Sequence, residues 1–154
     1  MGNRLLQTST LSGIPSGQFT YDVNDHLSTE QYDPNGNTTQ SGSRTFSYDF
    51  ENRLKSMAMN NGPATVTIQY DGDGNRVAKT VAGVTTRYLV DDLNPTGYPQ
   101  VVDELVGTTV QRSYSYGLQR ISQSRPVNGA WTPSFYGYDG MGSVRMLAWS
   151  GPQF

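Results

Sequence analysis

Apolar and polar residues alternate in short runs broken by turn-forming clusters, the pattern of half-buried strands. Val66, Ile68 and Tyr70 alternate with Thr67 and Gln69. Asp71-Gly-Asp-Gly-Asn75 follows, dense in residues that tolerate positive φ and hydrogen-bond their own backbone, so the chain turns there. Val77, Lys79 and Val81 resume the alternation, Ala82-Gly83 turns the chain again, and Val84 to Val90 forms the next strand. The same reading predicts strands at 18–22, 45–49, 100–106, 108–116 and 143–149. It places turns at Asn24-Asp25, Asp33-Pro-Asn-Gly-Asn37, Ser41-Gly42 and Gly107. A hairpin opened by 53–59 is closed by Asn60-Asn-Gly-Pro63, and another spans 126–133 with Asn128-Gly129 at its bend. Residues 91–100 carry two prolines and a glycine, and are expected to form a longer loop or crossover.

The pieces of the first hairpin recur. Tyr followed by Asp and a polar turn occurs at Tyr21-Asp22, Tyr32-Asp33, Tyr48-Asp49, Tyr70-Asp71 and Tyr138-Asp139. The outgoing half recurs as Gly2-Asn-Arg-Leu5, Asn24-Asp-His-Leu27, Glu51-Asn-Arg-Leu54 and Gly74-Asn-Arg-Val77. The period is irregular, about twenty residues, within the range of repeat architectures. Because Gly2-Asn-Arg-Leu5 corresponds to the second half of a unit, the chain is expected to be a piece of a longer array. Its 154 residues are expected to form a single β domain.

This ordered series resembles the YD-repeat (Rhs) proteins. The likeness is densest in Tyr70-Asp-Gly-Asp-Gly-Asn-Arg-Val-Ala-Lys79, Leu93-Asn-Pro-Thr-Gly-Tyr-Pro-Gln-Val-Val102, Ser113-Tyr-Ser-Tyr-Gly-Leu118, Ile121-Ser-Gln123 and Tyr138-Asp-Gly-Met-Gly-Ser-Val-Arg145, which look like the last repeats of a bacterial Rhs core. The resemblance implies an all-β fold of stacked antiparallel hairpins forming a curved sheet, a segment of a spiral shell. It also implies a C-terminal effector polypeptide as partner in the parent protein, and secretion or cell-surface association of that parent. The family's closing motif is not matched, so no catalytic residue is carried over.

Composition fits a β-rich chain with a thin core: 34% of residues are hydrophobic, ten are tyrosine and seventeen glycine, and the mean hydropathy is −0.57. Tyrosine is expected to do most of the burying, its ring packed and its hydroxyl bonded. Net charge is −2 with no basic cluster in sequence, which argues against a nucleic-acid partner. Cysteine is absent, so no disulfide framework is possible, and no apolar run approaches the ~20 residues of a membrane helix. A sheet of hairpins leaves unpaired edge strands, through which self-association is expected.

The candidate chemistry is sparse. Asp71-x-Asp-x-Asn75 and Asp33-x-Asn-x-Asn37 open like EF-hand loops but lack the glycine at position six and the glutamate at twelve, so no metal site or cofactor is expected. His26 is the only histidine and lies in a turn without a nucleophile motif. Glu30, Glu51 and Glu104 are the only glutamates and the candidate acid–base pair of a glycoside hydrolase, although Asp103 and Glu104 point to opposite faces of a strand. Trp131 and Trp149 are the candidate sugar-stacking platforms. The function expected is a non-catalytic structural module that shields or presents an effector, with carbohydrate binding and carboxylate-based glycoside hydrolysis as alternatives.

Overall fold

The structure, a computed structural model, describes residues 2–59 and 63–149. The expected turn residues Asn60 to Gly62 and the segment after Trp149 lie outside the described residues. Among these residues the fold is all-β, as expected, with fourteen strands. The first two, β1 (Leu6–Gln7) and β2 (Gly17–Gln18), form a small antiparallel pair. The others follow in chain order: β3 (Glu30–Tyr32), β4 (Thr38–Ser41), β5 (Arg44–Tyr48), β6 (Leu54–Met59), β7 (Ala64–Tyr70), β8 (Arg76–Val81), β9 (Val84–Asp91), β10 (Gln100–Val106), β11 (Thr109–Tyr116), β12 (Arg120–Val127), β13 (Ala130–Tyr138) and β14 (Val144–Trp149). They make one sheet in which every strand neighbours its sequence neighbours, antiparallel wherever the register is resolved. β3 and β14 are the edges, so the sheet is not closed into a barrel.

From β3 onward, among the described residues, sequence neighbours pair as antiparallel hairpins because their turns supply the backbone that such neighbours need. Ala82-Gly83 and Asn128-Gly129 have positive φ at both positions, the twist-compatible two-residue turn. The 92–99 loop joins the adjacent antiparallel strands β9 and β10, so it is not a crossover. The expected strand at 18–22 is shorter: only Gly17–Gln18 pairs with β1, while Tyr21 makes an isolated bridge to Leu27 across the turn.

The chain divides into two compact units, Met1–Thr67 and Ile68–Phe154. The core is thinner than the composition suggests. Among the described residues Ala78 is the one buried apolar residue, joined by the polar Ser122, Gln123 and Ser134. No large side chain is fully buried among the described residues, so tyrosine rings pack on the sheet half-covered. The sheet is therefore held mainly by its backbone ladders and cross-strand pairs.

Candidate functional site

All five Tyr-Asp turns share one hydrogen-bond pattern. At Asp22, Asp33, Asp49, Asp71 and Asp139 the main-chain N–H donates to the carbonyl four residues on, and the residue three on donates its N–H back to the Asp carbonyl. That third residue is Asp25, Gly36, Asn52, Gly74 or Gly142, each at positive φ, which produces the bulge that starts the outgoing strand. Each Asp Oδ1 accepts the N–H groups of the residues two and four on, at 2.8 to 3.0 Å. Each Oδ2 then pairs with a side chain: His26 at 3.2 Å, Asn37 at 2.9 Å, Arg53 at 2.8 Å, Asn75 at 3.2 Å and Arg145 at 2.7 Å. All five carboxyls lie below the usual carboxylate range. At Asp22 and Asp139 the largest cause is a backbone N–H, of His26 and Ser143 respectively, and at Asp33 it is the Asn37 amide. At Asp49 and Asp71 desolvation is the largest influence and opposes the shift, but the N–H groups of Arg53 and Asn75 and their side chains together outweigh it.

The preceding tyrosines tie the sheet crosswise. The hydroxyl of Tyr48 donates to the Thr38 carbonyl at 2.9 Å, that of Tyr138 to Arg120 at 2.6 Å, and that of Tyr21 to Arg4 at 3.2 Å. Tyr116, which precedes Gly rather than Asp, reaches the Val101 carbonyl at 2.9 Å. Tyr70 ends β7 immediately before the Asp71 turn.

The other candidates are dispersed. His26 takes the turn position held elsewhere by Asn37 and Asn75, and stacks on Tyr32 with ring centroids 4.2 Å apart. Glu30 is held by Tyr32 at 3.1 Å and Ser41 at 2.6 Å, Glu51 by Arg53 at 2.5 Å, and Glu104 by Tyr114 at 2.6 Å and Arg112 at 3.4 Å. Each glutamate is thus engaged by its own neighbours. Trp131 and Trp149 are half-exposed but lie on opposite faces of the sheet: Trp149 is paired with Ser134, three residues along β13 from Trp131 with no bulge between. They do not form one platform. Among the described residues no three His, Cys, Asp or Glu side chains converge as a metal-ligand set.

One face of the second unit carries a constellation that sequence reading missed. The Arg120 guanidinium lies 4.5 Å from the Tyr114 ring centroid, 5.4 Å from Tyr116 and 5.7 Å from Tyr136, and its Nε donates to the Tyr116 hydroxyl at 3.1 Å. Arg76 lies over Tyr88 at 4.8 Å. Arg112 joins Glu104 and Tyr114, and its Nε–H is buried with no hydrogen-bond partner among the described residues. Burial and, after it, the hydrogen bond to Glu104 push the Tyr114 hydroxyl up to about 12. On either side of the Gly117–Gln119 turn is a cleft. The first, about 540 Å³, is lined by Asp91, Thr96, Gln100, Tyr114 and Tyr116. The second, about 560 Å³, is lined by Leu118, Arg120, Phe135, Tyr136 and Tyr138. Cationic groups held between aromatic faces, beside clefts of small-molecule size, suit stacking against nucleobases and attraction of phosphate.

Comparison with known proteins gives the chain three relatives. No family model matches the chain. The chain is 35% identical over 115 residues to the tRNA3(Ser)-specific nuclease WapA of Bacillus spizizenii and 34% identical over 115 residues to the tRNA nuclease WapA of Bacillus subtilis. It is 36% identical over 88 residues to the tRNA(Glu)-specific nuclease WapA of Bacillus subtilis subsp. natto. The matches take in 73%, 73% and 56% of this chain, but the chain spans only 5%, 5% and 4% of those proteins. These findings correct the sequence reading. The resemblance to YD-repeat (Rhs) proteins gives way to relatives named as tRNA nucleases. The expected shell function goes with it, as do carbohydrate binding at Trp131 and Trp149 and glycoside hydrolysis at Glu30, Glu51 and Glu104. The exclusion of a nucleic-acid partner, drawn from net charge, is overturned by the same relatives. No helix among the described residues is long and apolar enough to cross a membrane.

Proposed function

We propose that this chain is a module of a tRNA nuclease of the WapA kind, serving a part of that function common to nucleases with different tRNA targets: contact with RNA through its phosphates and exposed bases. The observation that carries the reading is the identity of the relatives. Two named for different targets, tRNA3(Ser) and tRNA(Glu), match this chain over 115 and 88 residues, stretches that necessarily overlap in a chain of 154. A segment common to both does not choose between their targets. Its contacts are then of the kind every tRNA offers, charge to phosphate and ring to base. The arginine–tyrosine face supplies both, with Arg120 and Arg76 as cations and Tyr114, Tyr116, Tyr136 and Tyr88 as stacking surfaces.

The net charge of −2 sets the expected strength. Binding resembles the sequence-independent class, with a Kd on the order of 10 μM at about 0.1 M salt and steep weakening as salt is raised. Filter binding of labelled tRNA to the full chain tests this. Arg120→Gln is expected to weaken binding several-fold and flatten the salt dependence. Absence of binding, or binding indifferent to salt and to Arg120, overturns the reading.

A further inference from the structure

On the sheet face opposite the arginine–tyrosine cluster, the strand register sets a row of unengaged polar side chains beside an aromatic ring. Along β11, Ser113 and Ser115 alternate with Arg112, Tyr114 and Tyr116, and so point to the other side. Asp103 on β10 pairs with Ser113, and Ser113 with Ser124 on β12, which carries the row across three strands. Ser124 pairs in turn with Pro133 on β13, two residues from Trp131, so Trp131 shares this face. Asp103, Ser113, Ser115, Ser124 and Trp131, together with Val110, line a cleft of about 440 Å³. The Asp103 carboxylate and the three serine hydroxyls have no hydrogen-bond or ion-pair partner among the described residues, and Trp131 is 52% exposed. The two ends of the cleft are far apart, because β10 and β13 stand three strand spacings from each other, roughly 14 Å. A single small cation therefore does not reach both the carboxylate and the indole. The fitting occupant is an elongated molecule with a flat ring at one end and hydrogen-bond donors at the other.

We infer that this cleft takes a ribonucleoside whose 2′- and 3′-hydroxyls are both free, as at the 3′ end of an RNA, an inference that rests on the RNA-binding reading above. The base stacks on the Trp131 indole, a surface that accepts any base. The ribose diol donates its two O–H groups to the Asp103 carboxylate, which is an acceptor only, and the serine hydroxyls between can donate or accept. No cation is among the residues that line the cleft. A phosphate on the 3′ oxygen would remove one donor and bring a like charge beside Asp103, so a nucleotide within a strand is rejected and a strand end accepted. A 2′-deoxyribose lacks the other donor, and the carboxylate then distinguishes RNA from DNA. Every unacylated tRNA ends in such a ribose, so recognition of that end is as indifferent to the tRNA target as the contacts of the opposite face.

The experiment is an NMR titration of the full chain with adenosine, 2′-deoxyadenosine and adenosine 3′-monophosphate, read at the Trp131 indole and the amides of Ser113, Ser115 and Ser124. Adenosine is expected to bind about tenfold more tightly than either of the others. Asp103→Asn is expected to bring the three within about twofold of one another, and Trp131→Ala to weaken adenosine several-fold. Equal binding of adenosine and 2′-deoxyadenosine, tighter binding of the 3′-phosphate, or shifts confined to other residues overturns the inference. So does a preference for the free diol that survives Asp103→Asn in a chain with unchanged circular dichroism, or binding of putrescine in place of every nucleoside, which marks a cation site. If tRNA binds while adenosine does not, the nucleoside site alone is wrong. If adenosine binds as described and tRNA does not, the site takes a free nucleoside and the RNA-binding reading fails; if neither binds, both fail.

Discussion

The aspartates of the Tyr-Asp turns show how one side chain fixes a local fold. An ionised carboxylate accepting two backbone N–H groups and one side-chain donor makes the bulged turn the preferred bend at that position. The sign of the pH effect follows. These groups have folded pKa values below the ordinary 3.8, so their contribution is present above that value and is lost as pH falls through the lower, folded values. Thermal melts should be level from pH 7 to about 5 and fall below pH 4. Asp71→Ala should lower the midpoint of urea unfolding at pH 7 and remove part of that acid dependence. Tyr114 runs the opposite way: raised to about 12, its contribution is intact below the ordinary 10 and lost as pH climbs through 12. Ultraviolet titration should resolve Tyr114 as a late-ionising tyrosine, with Tyr48 also raised by burial, and Glu104→Gln should bring Tyr114 back toward 10.

Two hairpin features at the element scale give opposite predictions. Ala82 adopts φ +48° at the first position of a two-residue turn, a left-handed conformation that costs an alanine roughly 1 kcal/mol. Ala82→Asn should raise stability by about 0.5–1 kcal/mol in urea unfolding. At β13, a Cβ added to Gly137 would lie 2.4 Å from Met146 Cγ on β14. Gly137→Ala should therefore cost about 1 kcal/mol, the low end for overpacking because Met146 is exposed and can move, and Met146→Ala should recover most of it. Most of these elements were legible in the sequence, because alternation and turn chemistry are local. Asn128-Gly129 marked its hairpin, although the pairing extends well beyond 126–133, to 122–135. The strand at 18–22 misled because Phe19 and Tyr21 alternate correctly, yet beyond Gln18 only isolated contacts, the Phe19 N–H to Leu5 and the Tyr21 bridge, continue the pairing.

The arginine–tyrosine face was not legible, for a reason of scale. Arg112, Tyr114 and Tyr116 lie on one strand, Arg120 on the next and Tyr136 on the third, and they meet only through a register that bulges shift. Net charge, a property of the whole chain, pointed away from nucleic acid because it averages that face with the acidic turns. The partners of the candidate acid–base glutamates were hidden in the same way. Glu30 and Glu104 looked unassigned in one dimension, but each accepts a tyrosine hydroxyl in three. With no large side chain fully buried among the described residues, hydrogen-exchange protection should follow the strand ladders rather than any buried cluster. The central claim concerns the intact chain and RNA, and the most direct test is the ratio of its Kd values for tRNA(Ser) and tRNA(Glu), measured by fluorescence anisotropy in the same buffer. The account predicts binding to both with a ratio near one; no binding to either, or a ratio above about ten, would contradict it.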